Sequence, residues 1–456
     1  MIIRTLTTAF AAALMACPTH AAALEPAKID AAVQSAMEAN GAPSVQVAVV
    51  QDGRIAFSKA YGRARLEPSV PATTKTRYEI ASVSKEFTAA AALLLVEDGK
   101  LSLDDHVSQW FPDLTGADRI TLRQLLSHTA GVSDFWPQDY VMLPMTKPTT
   151  PQAVMNDWAK KPLDFKPGDD WQYSNTGYLV AGQIIEKASG KSLFDFVNDR
   201  ILKPVGITDA IDVSAENLKA PDALGYERRA LAPNRPTPPD GKGWLYGSGF
   251  LGLTAEDVAQ WDLSFLKKSL LKPESYVTEI TTIKLNNGSD TGYAMGLFVN
   301  KQHGHMKVTH SGEGAGYTSE NRIYPDDGLA VVVLTNTMSG GVAGEIADHI
   351  AYLALPQKGK DAYLRRVFEG LQAGKIDRAA LTEDCSGYMS AATIGDFKST
   401  LGPLGEPSSF ALTSVMQRGG MEFRRYHIRA GRKILSLSVY LTKEGKIEQF
   451  LVDEVK

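Results

Sequence analysis

Hydrophobic and polar positions change period along the chain, and each period predicts a different kind of element. Residues 29–39 repeat with the period of an amphipathic helix. Residues 45–50 and 54–58 alternate as two strands on either side of Asp52-Gly53. Asp-Gly is a preferred turn of β-hairpins, so these strands are predicted to pair. Residues 82–98 follow as a helix whose middle is apolar on every side, which is typical of a buried helix.

The middle of the chain keeps a helical period from residue 101 to about residue 219, with loops rich in Pro, Asp and Gly. Residues 220–243 contain five prolines and little periodicity, which predicts a long loop or flap. Thr254 and Asp257 form a capping signal for a helix that reaches about residue 266. Four strand periods and a last helix follow, at residues 293–299, 306–310, 320–324, 329–335 and 344–355.

These periods predict an α+β fold for residues 24–355. Strands from both ends of this segment are expected to form one antiparallel sheet flanked by helices. An all-α subdomain is expected as an insert over about residues 101–243. Ser82 then lies where the sheet and the helical insert meet.

A second, smaller domain is predicted after a linker at residues 356–361. Residues 362–456 show two helical periods and then four alternating strands, at residues 363–374, 391–401, 409–416, 422–428, 434–441 and 447–452. A segment of about 95 residues has an ordinary domain size. We therefore expect a small α+β domain of unknown role.

The first 23 residues are interpreted as a secretory signal peptide. Arg4 gives a positive start, residues 9–16 are apolar, and small residues allow cleavage near Ala23. The apolar core is too short to cross a membrane as a helix. Cys17 offers lipid attachment as an alternative, although Met15 is unusual in such a site. We therefore expect a periplasmic or secreted bacterial protein without a transmembrane segment.

Composition limits the partners and the redox chemistry. The 456 residues are 44% hydrophobic and 22% charged, and the net charge of −4 comes without blocks of one sign. No nucleic-acid partner is therefore expected, and the oligomeric state stays open. Cys385 is the only cysteine outside the signal peptide, so no internal disulfide is expected and Cys385 is interpreted as an unreactive core residue.

Ser82 and Lys85 are the strongest candidates for chemistry. Residues three apart in a helix share a face, so Lys85 can reach the Ser82 hydroxyl and activate it as a nucleophile. The same spacing occurs at residues 264–267 and 269–272, in or beside a predicted surface helix. A helix-capping serine with a solvated lysine is the alternative interpretation of this pattern.

Two short motifs, each present once, accompany this pair. Tyr173-Ser-Asn175 precedes a predicted helix, and His310-Ser-Gly312 ends a predicted strand. A neighbouring ammonium is expected to favour the phenolate of Tyr173, which then takes the Ser82 proton and passes it to the leaving group. Asn175 is expected to bind a substrate amide. His310 is expected to bind a substrate carboxylate or polar group. Asn is also common in turns, and a strand-end histidine is often only a satisfied polar residue.

Two backbone N–H groups are expected to form an oxyanion hole. The Ser82 N–H lies at the positive end of a helix, and the Glu313 N–H follows Gly312 at a strand edge. Together with Lys85, which must be neutral or share its proton, these groups suit acyl transfer through a serine ester. The chemistry needs neither a metal nor an organic cofactor. His303-Gly-His305 is interpreted as a turn, not a metal site.

The motifs resemble those of the serine β-lactamase and penicillin-binding protein superfamily. The similar branch contains class C β-lactamases, D-alanyl-D-alanine carboxypeptidases, D-aminopeptidases and related esterases. The stretches that carry the resemblance are residues 78–88 (YEIASVSKEFT), 125–131 (LLSHTAG), 173–178 (YSNTGY), 247–251 (GSGFL) and 310–312 (HSG). They follow the family order over about residues 24–355. His128 is interpreted as a structural residue beneath the site.

The resemblance implies an exported serine hydrolase with an acyl-Ser82 intermediate. Its substrate is expected to be a D-amino-acid peptide, amide or small ester, with cell-wall peptides among the candidates. Class C β-lactamases usually carry Lys-Thr-Gly where this chain has His310-Ser-Gly312, and the histidine form is similar to peptidase and esterase members. Two alternatives remain: a class C-like β-lactamase, and a non-catalytic protein that recruits a partner through its C-terminal domain.

Overall fold

The computed structural model describes residues 24–138, 140–302, 304–338, 341–356 and 359–455. The expected signal peptide, with Cys17, lies outside the described residues, and so does His303. Among the described residues, no helix combines the length and the apolar character needed to cross a bilayer.

Helices and strands alternate along the whole described chain. The α-helices are α1 (Pro26–Asn40), α2 (Ser84–Glu97), α3 (Leu122–Leu126), α4 (Pro151–Val154), α5 (Asn175–Ser189), α6 (Leu193–Val197), α7 (Ala255–Lys267), α8 (Pro273–Ile280), α9 (Val342–Ala354), α10 (Gly359–Gln372), α11 (Glu383–Tyr388) and α12 (Ala391–Leu401). The strands are β1 (Ser44–Gln51), β2 (Arg54–Arg65), β3 (Val70–Pro71), β4 (Tyr78–Glu79), β5 (Ile211–Asp212), β6 (Tyr226–Glu227), β7 (Arg235–Pro236), β8 (Leu251–Leu253), β9 (Phe298–Gln302), β10 (His305–Gly314), β11 (Tyr317–Tyr324), β12 (Leu329–Thr335), β13 (Ser409–Arg418), β14 (Met421–Ala430), β15 (Lys433–Leu441) and β16 (Ile447–Glu454).

A seven-stranded antiparallel sheet joins the two ends of the first 355 residues. Its strand order is β3-β2-β1-β12-β11-β10-β9, and β1 pairs with β12. Alternate side chains of β1 enter different cores, as the two-residue period of a strand requires. Val47 and Val49 pack with α1 and α9, whereas Ala48 and Val50 belong to the core on the other face. The expected sheet with helices on both faces is confirmed.

Helix α2 runs through the larger core, and its residues from Ser84 to Leu95 are buried. The α-helix begins at Ser84, two residues later than expected. Residues Ala81–Val83 form a 3₁₀ turn that contains Ser82. The side chain of Ser82 is therefore presented from a tight turn between β4 and α2.

The inserted segment is more irregular than its helical period predicted. Helices α3, α4 and α6 have only four or five residues, and α5 is the long one. The expected flap at 220–243 contains the two-residue pairing of β6 with β7. The strand expected at 293–299 begins only at Phe298, because Gly296 turns the chain at φ +77° against the Lys85 carbonyl.

A four-stranded antiparallel sheet, in the order β13-β14-β15-β16, forms the C-terminal region. Side chains from α10, α11 and α12 cover it with a separate apolar core, which Tyr352 of α9 also joins. The six-residue helix α11 was not predicted, because it is too short to show a helical period. The architecture agrees with the expected α+β class with an additional C-terminal sheet.

Candidate active site

Lys85 is fully buried and holds three polar partners. Its Nζ lies 2.9 Å from Ser82 Oγ, 2.8 Å from Asn175 Oδ1 and 2.9 Å from the Ser248 carbonyl oxygen. Burial lowers the pKa of Lys85 to about 7, and the negative charge of Asp134 opposes this shift. A neutral amine is therefore available beside the Ser82 hydroxyl near neutral pH.

Tyr173 lies on the other side of the serine. Its ring centre is 4.8 Å from Lys85 Nζ, and its side chain hydrogen-bonds that of Ser82. Burial raises the pKa of the Tyr173 phenol, and the hydrogen bond to Ser82 only partly opposes this change. We expected an adjacent ammonium to favour the phenolate. A lysine with a pKa near 7 is only partly charged at neutral pH, so the phenol is the form that this environment favours.

His128 fixes the short segment that carries Tyr173. The His128 backbone has a φ of +61°, which is uncommon for a residue with a Cβ atom. Its Nδ1 accepts a hydrogen bond of 3.1 Å from the Ser174 N–H, and its carbonyl accepts one of 3.0 Å from the Gln172 N–H. Its ring centre is 4.2 Å from that of Tyr173. These contacts agree with a structural role for His128 beneath the site.

Asn175 is the first residue of α5, and Ser174 caps that helix. The Asn175 backbone N–H donates to Asp134 Oδ1 over 2.9 Å, and its side-chain Nδ2 donates to Oδ2 over 3.3 Å. Asp134 therefore orients the amide whose oxygen faces Lys85. The sequence offered no signal for Asp134, because a single aspartate in an irregular loop has no distinguishing pattern.

His310 is buried in β10 and keeps both ring nitrogens occupied. Nδ1 lies 2.5 Å from the Ser311 carbonyl oxygen, so it donates, and Nε2 lies 3.1 Å from the Tyr293 hydroxyl. Burial lowers the pKa of His310 to about 3. The imidazole is therefore neutral at physiological pH.

Gly312 lets β10 approach the turn that contains Ser82. A methyl group added there would lie 2.3 Å from the Ile80 carbonyl oxygen and 3.1 Å from the Ser82 nitrogen. Ser319 of β11 also donates to the Ile80 carbonyl, over 2.7 Å. The absence of a side chain at Gly312 therefore brings the strand backbone leading to Glu313 close to the Ser82 N–H.

These groups line one cavity of about 520 Å³. It is bounded by Ala81, Ser82, Asp134, Trp136, Pro137, Gln138, Gln172, Tyr173, Asn175, Leu245, Ser248, Gly249, Phe298, His310, Ser311, Glu313 and Met338. The structure thus brings together all the residues that the sequence nominated for the site, with Lys85 and Gly312 just behind the wall. Ser248 belongs to a quoted motif, but its carbonyl contact with Lys85 was not anticipated.

His305 and Cys385, which the sequence assigned to a turn and to a core, do not line this cavity. Both ring nitrogens of His305 are engaged, one by Asp327 Oδ2 at 2.6 Å and one by the Pro356 carbonyl at 2.7 Å. Within the ranges that the structure describes, no group of three or more His, Cys, Asp or Glu side chains is placed to hold a metal ion. Cys385 is buried in the C-terminal core, where burial raises the pKa of its thiol.

Comparisons with known proteins place the chain in a family. The family model described as Beta-lactamase matches residues 29–355. Protein flp of Staphylococcus aureus strain N315 is 30% identical over 336 residues, which cover 71% of this chain and 65% of that protein. The chain thus spans somewhat less than two thirds of the length of this curated relative.

Two solved structures have a similar fold. The D-amino acid amidase from Ochrobactrum anthropi SV3, complexed with L-phenylalanine, is 25% identical, with a TM-score of 0.60 over 70% of this chain and 94% of that one. The octameric penicillin-binding protein homologue from Pyrococcus abyssi is 21% identical, with a TM-score of 0.63 over 94% of this chain and 100% of that one. The second similarity shows the fold alone. Because the family model covers more than half of its length, the chain belongs to the Beta-lactamase family.

Proposed function

We propose that the protein is an exported serine hydrolase that forms an acyl ester on Ser82 and acts on a D-amino-acid peptide, amide or small ester. The observation that supports this most is the buried Lys85 amine, whose pKa is about 7, at 2.9 Å from Ser82 Oγ. A serine without an adjacent base is a weak nucleophile, and this contact supplies the base.

Acylation follows from the arrangement of these groups. Neutral Lys85 accepts the proton of the Ser82 hydroxyl, and Oγ bonds to the substrate carbonyl carbon. The carbonyl oxygen becomes an oxyanion and accepts hydrogen bonds from the backbone N–H groups of Ser82 and Glu313. When the carbonyl re-forms, the bond to the leaving amine or alcohol breaks, and that group takes up a proton.

Tyr173 is the proposed route of that proton. Its side chain hydrogen-bonds Ser82, and its ring lies beside Lys85 Nζ, so it connects the base with the place from which the group leaves. Because burial favours the phenol, Tyr173 donates its own proton while Lys85 returns one to it. Water then attacks the ester carbon and passes a proton to Lys85. The bond between that carbon and Ser82 Oγ breaks, Lys85 returns the proton to Oγ, and the carboxylic acid product leaves.

The third motif favours a peptidase, amidase or esterase over a β-lactamase. Class C β-lactamases usually have a lysine at the position of His310, and this histidine is neutral and bonded to Tyr293. The similarity to a D-amino acid amidase supports substrates built from D-amino acids. The intact contacts among Ser82, Lys85 and Tyr173 argue against a purely non-catalytic role.

A panel of substrates tests this proposal. The mature protein and its Ser82→Ala variant are incubated with p-nitrophenyl acetate, D-alanyl p-nitroanilide, nitrocefin and a fluorescent penicillin. Turnover of the ester and the anilide, lost in the variant, is the expected result. Rapid hydrolysis of nitrocefin without hydrolysis of the anilide would show that the protein is a β-lactamase. No reaction with any of the four probes would refute the proposal that the protein is an enzyme.

A further inference from the structure

The charged side chains in the described lining of the cavity are acidic. Among the described residues that line it, the charged side chains are Asp134 and Glu313, and none is a lysine or an arginine. Asp134 is half-buried, and Glu313 is exposed at the rim. Tyr173 and His310 are the other titratable groups of the wall. A cavity lined by one sign of charge attracts ligand groups of the opposite sign.

Lys85 and His310, the basic side chains of the site among the described residues, are not placed to receive a carboxylate. Lys85 has no exposed surface, and its amine is directed to Ser82, Asn175 and the Ser248 carbonyl. His310 donates from Nδ1 to the Ser311 carbonyl, which leaves Nε2 as the acceptor for the Tyr293 hydroxyl. A substrate carboxylate beside Ser82 would therefore enter a cavity whose described lining is acidic and offers no lysine or arginine to bind it.

Asp134 lines the same cavity as Ser82, and Asn175 links it to the reacting centre. Asn175 joins the two places, because its Oδ1 lies 2.8 Å from Lys85 Nζ and its Nδ2 lies 3.3 Å from Asp134 Oδ2. A carboxylate offers about four acceptor positions, and Asn175 and the Trp136 backbone donate to Asp134 at three of them. An acceptor position remains on a side chain that lines the cavity.

The α-ammonium group of an aminoacyl substrate suits this position. Its nitrogen is two bonds from the scissile carbonyl carbon, a separation of about 2.5 Å. A receptor for it must therefore lie near Ser82 in the same cavity, and Asp134 is the acidic residue there that Asn175 links to the reacting centre. We infer that Asp134 binds the free α-ammonium group of the substrate, and that Glu313 adds attraction for this positive charge at the rim of the cavity.

This inference rests on the proposed function and narrows it. The substrate class becomes aminoacyl amides and esters with a free amino terminus. Penicillins and peptides that end in a D-alanyl carboxylate carry a negative charge near the scissile bond, so the cavity disfavours both. The site is thus of the aminopeptidase or amidase type, not of the carboxypeptidase type.

Matched anilides test the inference. The value of kcat/KM is measured for D-alanyl, N-acetyl-D-alanyl and N-succinyl-D-alanyl p-nitroanilide, whose amino ends are cationic, neutral and anionic. We expect the free amine to react at least about tenfold faster than the acetyl compound, and the succinyl compound to be the slowest. Equal or faster hydrolysis of the acetyl compound would overturn the inference.

The pH profile gives a second readout. Both substrates need neutral Lys85, so both rates rise through pH 7. The free amine must also be protonated, and α-amino groups titrate at about 7.7–8.0. Its kcat/KM is expected to fall again above that pH, while the acetyl compound keeps its rate. Profiles of the same shape for both substrates would contradict the ammonium site.

Variants assign the receptor. The preference is the ratio of kcat/KM for the free amine to kcat/KM for the acetyl compound. Asp134→Asn is expected to reduce this ratio to about one, whatever its effect on the absolute rates. Glu313→Gln is expected to reduce the ratio by a smaller factor. Glu274→Gln, an exposed acid of α8 that does not line the cavity, is the matched control and should keep the preference. An unchanged preference in Asp134→Asn would refute its role. Hydrolysis of p-nitrophenyl acetate through Ser82 without any amine preference would refute this inference and leave the proposed function intact.

Discussion

The segment that leads into α2 and the end of α7 each place a serine three residues before a lysine, in opposite surroundings. Lys85 is fully buried and lies 2.9 Å from Ser82 Oγ. Lys267 is exposed, and the buried Ser264 hydroxyl donates to the Trp261 carbonyl of its own helix over 2.7 Å. The two pairs share a spacing, but only the first has the lysine amine beside the serine hydroxyl.

The comparison teaches that a lysine amine becomes a base near neutral pH when it is buried, and that its spacing from the serine is not sufficient. Water stabilises the charged ammonium form, so the amine of a solvent-exposed lysine stays protonated near neutral pH. Inside α2 the surrounding alanines and leucines remove that water, and the pKa of Lys85 falls to about 7. Matched variants in the two helices can test this difference.

The largest effect is expected from removing the amine. Lys85→Met keeps the length of the side chain and its burial, but it leaves Ser82 without a base. We expect kcat/KM for p-nitrophenyl acetate to fall by about 10³-fold or more. Lys267→Met in α7 is the matched control and should retain activity. Equal activity of the two variants would contradict the claim that Lys85 acts as the base and Lys267 does not.

A somewhat smaller loss is expected from Gly312→Ala. Its methyl group would lie 2.3 Å from the Ile80 carbonyl oxygen, so β10 or the Ser82 turn must move. We expect a loss of about 10²-fold in kcat, as for one impaired oxyanion donor, and a destabilisation of about 1–3 kcal/mol by overpacking. Steady-state kinetics and thermal unfolding measure the two effects.

Gly387→Ala is the control for this change, because a methyl group there meets no atom within 4 Å. It should leave both kcat and the melting temperature nearly unchanged. Full activity in Gly312→Ala would show that the close approach of β10 does not position the oxyanion hole.

The pH dependence sharpens the comparison without any mutation. The amine of Lys85 must be neutral to accept the Ser82 proton, and its pKa is about 7. The rate should therefore rise with pH and be about tenfold higher at pH 8 than at pH 6. The measurement is kcat/KM for a neutral ester from pH 5 to pH 9, corrected for spontaneous hydrolysis. A flat profile would contradict Lys85 as the base.

The smallest effect on activity is expected from Glu86, the buried neighbour of Lys85. Trp261 Nε1 and Asn321 Nδ2 donate to its carboxyl group, and burial raises its pKa from the ordinary value of 4.5 to about 8. The folded state therefore binds more protons than the unfolded state between these values, and stability falls as pH rises through this window. Buried Asp262 and Glu279 have raised pKa values and act in the same direction.

Glu86→Gln removes one of these titrations. The variant should gain about 3 kcal/mol of unfolding free energy relative to the native protein when the pH is raised from 5 to 8. Its kcat should stay within a few fold, since Glu86 does not line the cavity. Urea unfolding at both pH values measures the gain, and identical pH dependence of the two proteins would contradict it.

Periodic and motif-bearing parts of the molecule could be predicted from the sequence. The hairpin of β1 and β2, helix α7 with its Thr254 cap, and the four C-terminal strands follow local patterns that a reader can recognise. Ser82, Tyr173 and His310 stood out because their motifs occur in family order. Local patterns of this kind predict structure correctly because the residues that form the pattern are the same residues that form the helix or strand.

The rest depends on distant contacts. Asp134 belongs to the site because Asn175 donates a hydrogen bond to it, and the Ser248 carbonyl belongs to it because the Lys85 amine donates a hydrogen bond to that oxygen. Neither contact can be recognised from a local sequence pattern. The close approach of β10 to the 3₁₀ turn at Ser82 depends on the missing side chain of Gly312, and this contact joins residues that are far apart in the sequence. The neutral state of His310 likewise comes from its burial, which the motif alone does not reveal.

The most direct test of the account is to locate the reactive serine. The protein, Ser82→Ala and Ser264→Ala are treated with a fluorophosphonate probe, digested and mapped by mass spectrometry. The account predicts one adduct on the peptide that contains Ser82, its loss in Ser82→Ala and its persistence in Ser264→Ala. An adduct that persists in Ser82→Ala, or one found on the α7 peptide instead, would contradict it.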